Sequence, residues 1–141
     1  MRLLARTLVL AFALAPITFD AALPQTASSI VVYMVRQDFS DCANGNVTDK
    51  DPSLIGGAVA LVRDPNGTTH VTIGITAQRN ATYHFFLKCV RILGDIVTGD
   101  EGVGESTFEF PTNSVGNIYA FDMYPEGAPA GNKYQSLQVK F

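Results

Sequence analysis

The segment that decides the fold is HVTIGITAQRNATYHFFLKC, residues 70–89. In its first eight residues apolar side chains alternate with small or polar ones, a period of two that is typical of a strand with one face in a core. The inward face is predicted to carry Val71, Ile73, Ile75 and Ala77. The segment therefore predicts a half-buried β-strand rather than a helix.

The second half of the segment repeats the alternation with larger side chains. Its inward face is predicted to carry Tyr83, Phe85, Leu87 and Cys89, and its outward face Thr82, His84, Phe86 and Lys88. The residues between the two strands, 78–81, are few enough for a hairpin. On this interpretation His70 and His84 lie on adjacent strands, and Cys89 points into the core.

The rest of the chain shows the same pattern from residue 29 onward. Runs rich in Val, Ile, Thr, Tyr and Phe are separated by clusters of Gly, Asn, Asp or Pro, as in short antiparallel strands. Strands are predicted at residues 30–36, 57–63, 70–77, 82–91, 95–98, 106–110, 117–124 and 134–141. We therefore expect an all-β fold, an antiparallel two-sheet sandwich of about 7–8 short strands with an immunoglobulin-like arrangement.

A resemblance supports this fold. Residues 81–89, ATYHFFLKC, are followed by LGDIVT at 93–98 and by a glycine-containing turn at 99–104. The order resembles the central strands of small bacterial secreted domains of the immunoglobulin-like or fibronectin-like type, in which TYxxxL precedes LGxxxT. The resemblance covers about 30 residues and implies the fold alone. The chain departs from true immunoglobulin domains because it has no tryptophan between its cysteines.

The N-terminal residues predict export. Arg2 and Arg6 precede an apolar run over residues 7–19, which is the layout of a secretory signal. The run is too short to span a bilayer, which takes roughly 20 apolar residues, so no transmembrane segment is expected in the mature chain. We interpret residues 1–27 as a signal peptide with a short linker, its cleavage site left open, and residues 28–141 as a single domain.

The chain contains two cysteines, Cys42 and Cys89. In an exported protein a single pair is best explained by one intramolecular disulfide formed in an oxidising compartment. Two buried free thiols or one reactive thiol are the alternatives. Two cysteines without a matching histidine pair are a weak zinc signal. The protein is thus expected to be secreted or periplasmic.

The long polar loop at residues 37–55 is the first place to look for a cation. Four of its aspartates are weak calcium candidates, namely Asp38, Asp41, Asp49 and Asp51. The ligand spacing of an EF-hand loop starts at Asp49, but its glycine falls on Leu54 and its closing glutamate on Ala60. The motif is broken, so an irregular calcium site and a solvated loop both stay open, and no cofactor is predicted.

Charge and motifs exclude several classes of function. Without the signal peptide the domain has 8 basic and 12 acidic residues, a net charge of −4, which argues against nucleic acid or anionic lipid as a partner. His70 and His84 are too few for a dismutase-type copper–zinc site, and no histidine follows Cys89 as a blue-copper centre requires. The chain has no G-x-S-x-G nucleophile motif, so no catalytic residue is predicted.

The leading hypothesis is an exported, non-enzymatic domain with a binding or structural accessory role. Its partner is expected to be an extracytoplasmic protein or glycan, contacted through the loop residues Asp38, Phe39, Tyr124 and Pro125. The alternative is a calcium- or metal-dependent secreted enzyme. A lower alternative is a small outer-membrane β-barrel, because the terminal LQVKF, residues 137–141, is similar to the last strand of such barrels. In a eukaryote the sequons at Asn46, Asn66 and Asn80 would be glycosylation candidates.

Overall fold

The computed structural model describes residues 27–128 and 133–141. The predicted signal peptide, residues 1–27, lies outside this part of the chain except for Ala27. Within the described ranges the chain forms ten strands, and two short 3₁₀ turns lie at Pro52–Leu54 and Thr112–Ser114. The strands are β1 Ser28–Val35, β2 Ile55–Arg63, β3 Thr68–Thr76, β4 Thr82–Leu87, β5 Arg91–Val97, β6 Val103–Pro111, β7 Ile118–Tyr119, β8 Phe121–Pro125, β9 Tyr134–Ser136 and β10 Val139–Lys140.

Eight of the strands form one antiparallel sheet in the order β5-β4-β8-β9-β1-β2-β3-β6, and β7 pairs with β10. The sheet curls until its outer strands meet, so that β5 contacts β6 and the Ser106 hydroxyl donates to the Asp95 carbonyl at 3.3 Å. The result is a nearly closed barrel, which leaves little unpaired edge. The all-β antiparallel prediction is confirmed, whereas two clearly separate sheets are not formed.

The barrel interior is filled by the side chains that the alternation selected. Val71, Ile73 and Ile75 on β3 are buried, as predicted, and their outward neighbours are exposed. Aromatic rings complete the core, with Phe85 stacked on Phe121 at a centroid distance of 5.1 Å. Because large apolar rings occupy the centre, the interior is a packed core rather than a pore.

Three of the predicted long strands end earlier or are interrupted. Residues 82–91 form two strands, because β4 stops at Leu87 and Cys89 adopts a left-handed backbone conformation with φ +59°. Cys89 is exposed, so its predicted inward orientation is wrong. Residues 117–124 are likewise broken at Ala120, and residues 134–141 are broken between β9 and β10.

The predicted hairpin between residues 70–77 and 82–91 is also wrong. β3 lies between β2 and β6, and β4 lies between β5 and β8, so the two strands do not pair. The connection between them instead bonds to the β5–β6 turn, where Ala77 N–H donates to the Gly102 carbonyl at 2.8 Å. His70 and His84 are consequently not on adjacent strands.

Candidate functional site

Residues 37–54, in the connection from β1 to β2, lie against the outer surface of the barrel, and we name them the strap. The Phe39 main chain pairs with the Gln135 side-chain amide in both directions. Phe39 N–H donates to Gln135 Oε1, and Gln135 Nε2 donates to the Phe39 carbonyl, each at 2.8 Å. Further along, the Asn44 amide donates to the Ser136 carbonyl at 2.9 Å. The strap is therefore bonded directly to the barrel wall.

A disulfide fixes the strap to the turn between β4 and β5. Cys42 lies in the strap and Cys89 in the turn, and their Cα atoms are 5.5 Å apart. Both residues are exposed, so the bond lies on the surface rather than in the core. The predicted disulfide is confirmed, and such bonds are typical of oxidising extracytoplasmic compartments.

A buried amine lies beneath the strap. Lys88 is only 8% exposed, and its Nζ donates to Asn44 Oδ1 at 2.6 Å and to the Phe39 carbonyl at 2.8 Å. The alternation predicted an outward Lys88, but the residue follows the end of β4 and is covered by the strap. A buried ammonium is tolerated only when it is paired and hydrogen-bonded, and the strap provides these partners.

Asp122, on the outward face of β8, is the acidic member of the same cluster. Its Oδ1 lies 3.6 Å from Lys88 Nζ, and the atom is buried without a hydrogen-bond partner among the described residues. Burial raises the pKa of Asp122 above its ordinary value, and the Lys88 ammonium offsets part of that rise. The fold therefore favours the protonated carboxyl relative to the unfolded chain.

Sequence reasoning missed this cluster, although one signal was available. Lys88 precedes Cys89 directly, and Asn44 follows Cys42 by two residues. Once a disulfide between the two cysteines is predicted, polar residues beside them are expected to lie close together. That inference requires both cysteines to lie at the surface. It was not drawn because Cys89 was predicted to point into the core.

Next to the strap, the outer surface of β5, β4 and β8 carries a row of apolar side chains. Phe86 and Tyr124 are stacked, with ring centroids 5.0 Å apart and planes inclined by 15°. Ile92 lies opposite Phe86 in the β4–β5 ladder and is half exposed. We name these three residues the aromatic ridge.

Polar groups flank the aromatic ridge on both sides. His84 Nδ1 and Asp95 Oδ1 are 2.7 Å apart, and His84 lies opposite Tyr124 in register. Toward the strap, Lys133 Nζ lies 5.5 Å from the centroid of the Tyr124 ring and 3.3 Å from Asp38 Oδ1. The surface thus has an apolar centre with charged and polar groups at its rim.

The predicted contact residues do not all lie at one place. Asp38 and Tyr124 come together through Lys133, a residue that sequence reasoning did not select. Phe39 is 39% exposed in the strap. Pro125 ends β8 and lines a separate shallow pocket of about 340 Å³.

The aspartates considered for calcium have different partners. Asp41 accepts from Gly45 N–H at 2.6 Å, while Asp51 accepts from the Ser53 hydroxyl at 2.6 Å and from its N–H at 3.0 Å. The hydroxyl bond, then the N–H bond, lowers the pKa of Asp51. Asp49 is exposed. Within residues 27–128 and 133–141, no group of three or more His, Cys, Asp or Glu side chains is placed to hold a metal ion.

The remaining predicted positions lie at the surface. His70, on the outer face of β3, has Nε2 3.1 Å from Asp64 Oδ2 and Nδ1 3.7 Å from Glu109 Oε2. The sequon asparagines are all exposed and lie outside the strands, at Asn46, Asn66 and Asn80. These positions are separate from the aromatic ridge.

Comparison with known proteins adds no family to this description. No family model matches the chain, and no curated protein sequence matches it. Along the described residues, no helix is long and apolar enough to cross a membrane.

Proposed function

We propose that this protein is an exported, non-enzymatic binding domain that docks another extracytoplasmic protein on its aromatic ridge. The observation that carries the proposal is the Phe86–Tyr124 stack. The stack lies between Ile92, which is opposite Phe86, and the Lys133–Asp38 ion pair, which is beside Tyr124. Protein interfaces are enriched in such aromatic anchors at the centre and in polar groups at the rim. A ring already held by stacking loses little rotamer entropy when a partner binds.

The ring geometry favours a protein partner over a glycan. A sugar ring stacks on an open aromatic face. In the aromatic ridge, one side of the Tyr124 ring meets Phe86 and a cation, Lys133, also approaches that ring. The aromatic ridge therefore presents ring edges together with apolar and charged groups, and this combination favours a protein surface as the partner.

The flanking histidine supports binding rather than catalysis. His84 and Asp95 form the base-and-orienter half of a catalytic arrangement. Nucleophilic catalysis also needs a hydroxyl or thiol in contact with the imidazole. Among the described residues, no serine, threonine or cysteine side chain hydrogen-bonds to His84. In the proposed role the pair contributes hydrogen bonds at the rim of the interface.

The test begins with a photoreactive amino acid at position 124, produced in the native host so that the exported protein meets its natural partner. The cross-linked protein is identified, purified, and titrated with wild-type and variant domains. Tyr124→Ser and Phe86→Ser are expected to weaken binding by about tenfold or more, as for interface anchors. Tyr33→Ser is the matched control, since Tyr33 is 46% exposed on the outer face of β1, away from the ridge.

Two results would overturn the proposal. One is a partner whose affinity falls with Tyr33→Ser and stays within twofold for Tyr124→Ser. The other is a glycan that binds the wild-type domain and competes for the ridge while no protein does.

A further inference from the structure

A second surface feature lies where β2 ends and β3 begins, and it shares no residue with the strap or the aromatic ridge. Arg63 is the last residue of β2 and continues the inward-facing series of Val59 and Leu61. Its guanidinium carbon lies 3.9 Å from the centroid of the Phe141 ring and 5.9 Å from that of Tyr119. The two rings hold the cation at the end of the barrel by cation–π contact.

The hydrogen-bonding groups at this end of the barrel are incompletely used. Arg63 Nε and the Tyr119 hydroxyl are buried and have no hydrogen-bond partner among the described residues. In the same part of the chain, no carboxylate lies within 4.0 Å of the Arg63 guanidinium. Buried polar groups in native proteins are nearly always paired. Among the described residues, Arg63 therefore has aromatic rings but no carboxylate as partners for its positive charge.

Arg63 faces an open cleft of about 580 Å³, a size within the range of small-molecule sites. Besides Gly67 and the apolar Pro111 and Val115, the cleft is lined by neutral polar side chains that carry an amide or a hydroxyl. They are Asn66, Thr112, Asn113 and Asn117. Amides can both donate and accept hydrogen bonds, as hydroxyl groups also can. One cation in a neutral, hydrogen-bonding cleft thus fits a ligand with one negative charge and several hydroxyls.

We propose that this cleft binds a sugar acid, with the carboxylate on Arg63 and the hydroxyls on the surrounding amides. The planar guanidinium fork matches a carboxylate in bidentate geometry. A phosphate is a poorer match, because a dianion is usually held by more than one cation or by a set of main-chain N–H groups. The site is independent of the protein-docking role proposed for the aromatic ridge.

The side of Arg63 that faces the barrel does not supply a competing anion. Burial raises the pKa of the Tyr119 phenol, and the nearby Arg63 charge offsets part of the rise. Tyr119 is therefore neutral at physiological pH and does not itself neutralise the positive charge of Arg63. Arg63 also lines the cleft, so a ligand bound there lies next to its side chain.

The proposal is tested by two-dimensional NMR titration of the oxidised protein with three probes: D-galacturonate, D-galactose and inorganic phosphate. Galacturonate and galactose differ only in the carboxylate that Arg63 is expected to bind. We expect galacturonate to shift the amide signals of Asn66, Thr112 and Asn113 with a Kd of about 1 mM or tighter. Galactose and phosphate are expected to bind at least about tenfold more weakly.

Variants separate recognition from folding. Arg63→Gln is expected to weaken galacturonate binding by about tenfold or more. Arg79→Gln, at an exposed arginine in the β3–β4 connection, is the matched control and should bind as wild type does. Asn113→Ala, at an exposed rim position, is expected to weaken binding severalfold and keeps the test decisive if Arg63→Gln does not fold.

The proposal is overturned if wild type shows no galacturonate binding at millimolar concentration, or if galactose or phosphate binds equally well. It is also overturned if a folded Arg63→Gln variant, or Asn113→Ala when Arg63→Gln does not fold, binds galacturonate as wild type does. None of these results bears on the ridge, whose partner is assayed separately with Tyr124 variants.

Discussion

The Lys88 ammonium donates to the Asn44 amide oxygen at 2.6 Å, and this bond joins the strap to the outer wall of the barrel. The two residues are 44 positions apart in sequence and both are buried. An amine that would otherwise be hydrated is instead held by strap atoms, so the strap and the barrel wall stabilise each other. The same strap carries Asp38, the carboxylate that holds Lys133 beside Tyr124.

Lys88→Met is predicted to destabilise the oxidised protein by about 3–5 kcal/mol, the range for breaking a buried ion pair from one side. The change leaves Asn44 Oδ1 without its Lys88 donor and removes one of the two donors to the Phe39 carbonyl. It also leaves Asp122 without its cation. Urea unfolding measures the difference. Lys50→Met, at an exposed strap position, is the control and should stay within about 0.5 kcal/mol of wild type. A Lys88→Met variant equally close to wild type would contradict the role given to the amine.

Asp122→Asn is predicted to change how stability depends on pH. The folded pKa of Asp122 is raised by burial above its ordinary value of 3.8. Its contribution to stability is therefore fully present below that value and is lost as pH rises through the folded pKa. Relative to wild type, Asp122→Asn should become progressively more stable as pH rises above about 3.8. If the difference in unfolding free energy between Asp122→Asn and wild type stayed constant from pH 3 to pH 7, the raised pKa of Asp122 would be contradicted.

Asp64→Asn is predicted to change the pH dependence of stability in the opposite direction from Asp122→Asn. A hydrogen bond from Thr68 N–H, and then one from His70, lowers the pKa of Asp64 below 3.8. Its contribution is present above the ordinary value and is lost as pH falls through the folded pKa. Asp64→Asn should therefore lose stability relative to wild type as pH rises from 3 to 6. If the stability difference from wild type changed with pH in the same direction for both variants, the burial of Asp122 or the hydrogen bonds of Asp64 would be contradicted.

Removing the disulfide is predicted to lower the free energy of unfolding by about 4 kcal/mol, because the bond closes a loop with a sequence separation of 47. The double variant Cys42→Ser and Cys89→Ser is compared with the oxidised protein by urea unfolding. Mass spectrometry after alkylation without reductant supplies the control. Two alkylated cysteines in the native protein would contradict the bond.

Two glycines are predicted to respond in opposite ways to alanine. A Cβ on Gly56 would overlap the Tyr134 ring, so Gly56→Ala should cost about 1–3 kcal/mol as overpacking. Gly74, on the outer face of β3, has open space at the same position, and Gly74→Ala should stabilise by about 0.5–1 kcal/mol. Thermal unfolding of both variants checks the pair. A stable Gly56→Ala would mean that Tyr134 does not pack there.

Local alternation predicted the faces of the strands well, because a strand with one side in a core repeats every two residues. Val71, Ile73 and Ile75 are buried for this reason. Alternation says nothing about which strands pair, and β3 pairs with β2 and β6 rather than with β4, the next strand in sequence. Alternation also cannot indicate that an outward residue such as Lys88 is covered by the strap, which is distant in sequence.

The disulfide was predictable from cysteine number and an export signal, but its surroundings were not. The left-handed backbone at Cys89 ends β4 and brings the bond to the surface. Non-glycine residues adopt that conformation infrequently, so no sequence rule places it at a cysteine. The ridge contact between Lys133 and Tyr124 similarly depends on how β8 and β9 pair.

The most direct test of the docking face is a methyl NMR titration of the oxidised protein with the partner that photo-cross-linking identifies, purified in its free form. Ile92 reports on the aromatic ridge, while Val31 and Val62 report on the exposed outer face of β1 and β2. We predict that the Ile92 methyl signals shift or broaden on titration while those of Val31 and Val62 stay unchanged. Shifts at Val31 and Val62 with an unchanged Ile92 would contradict it.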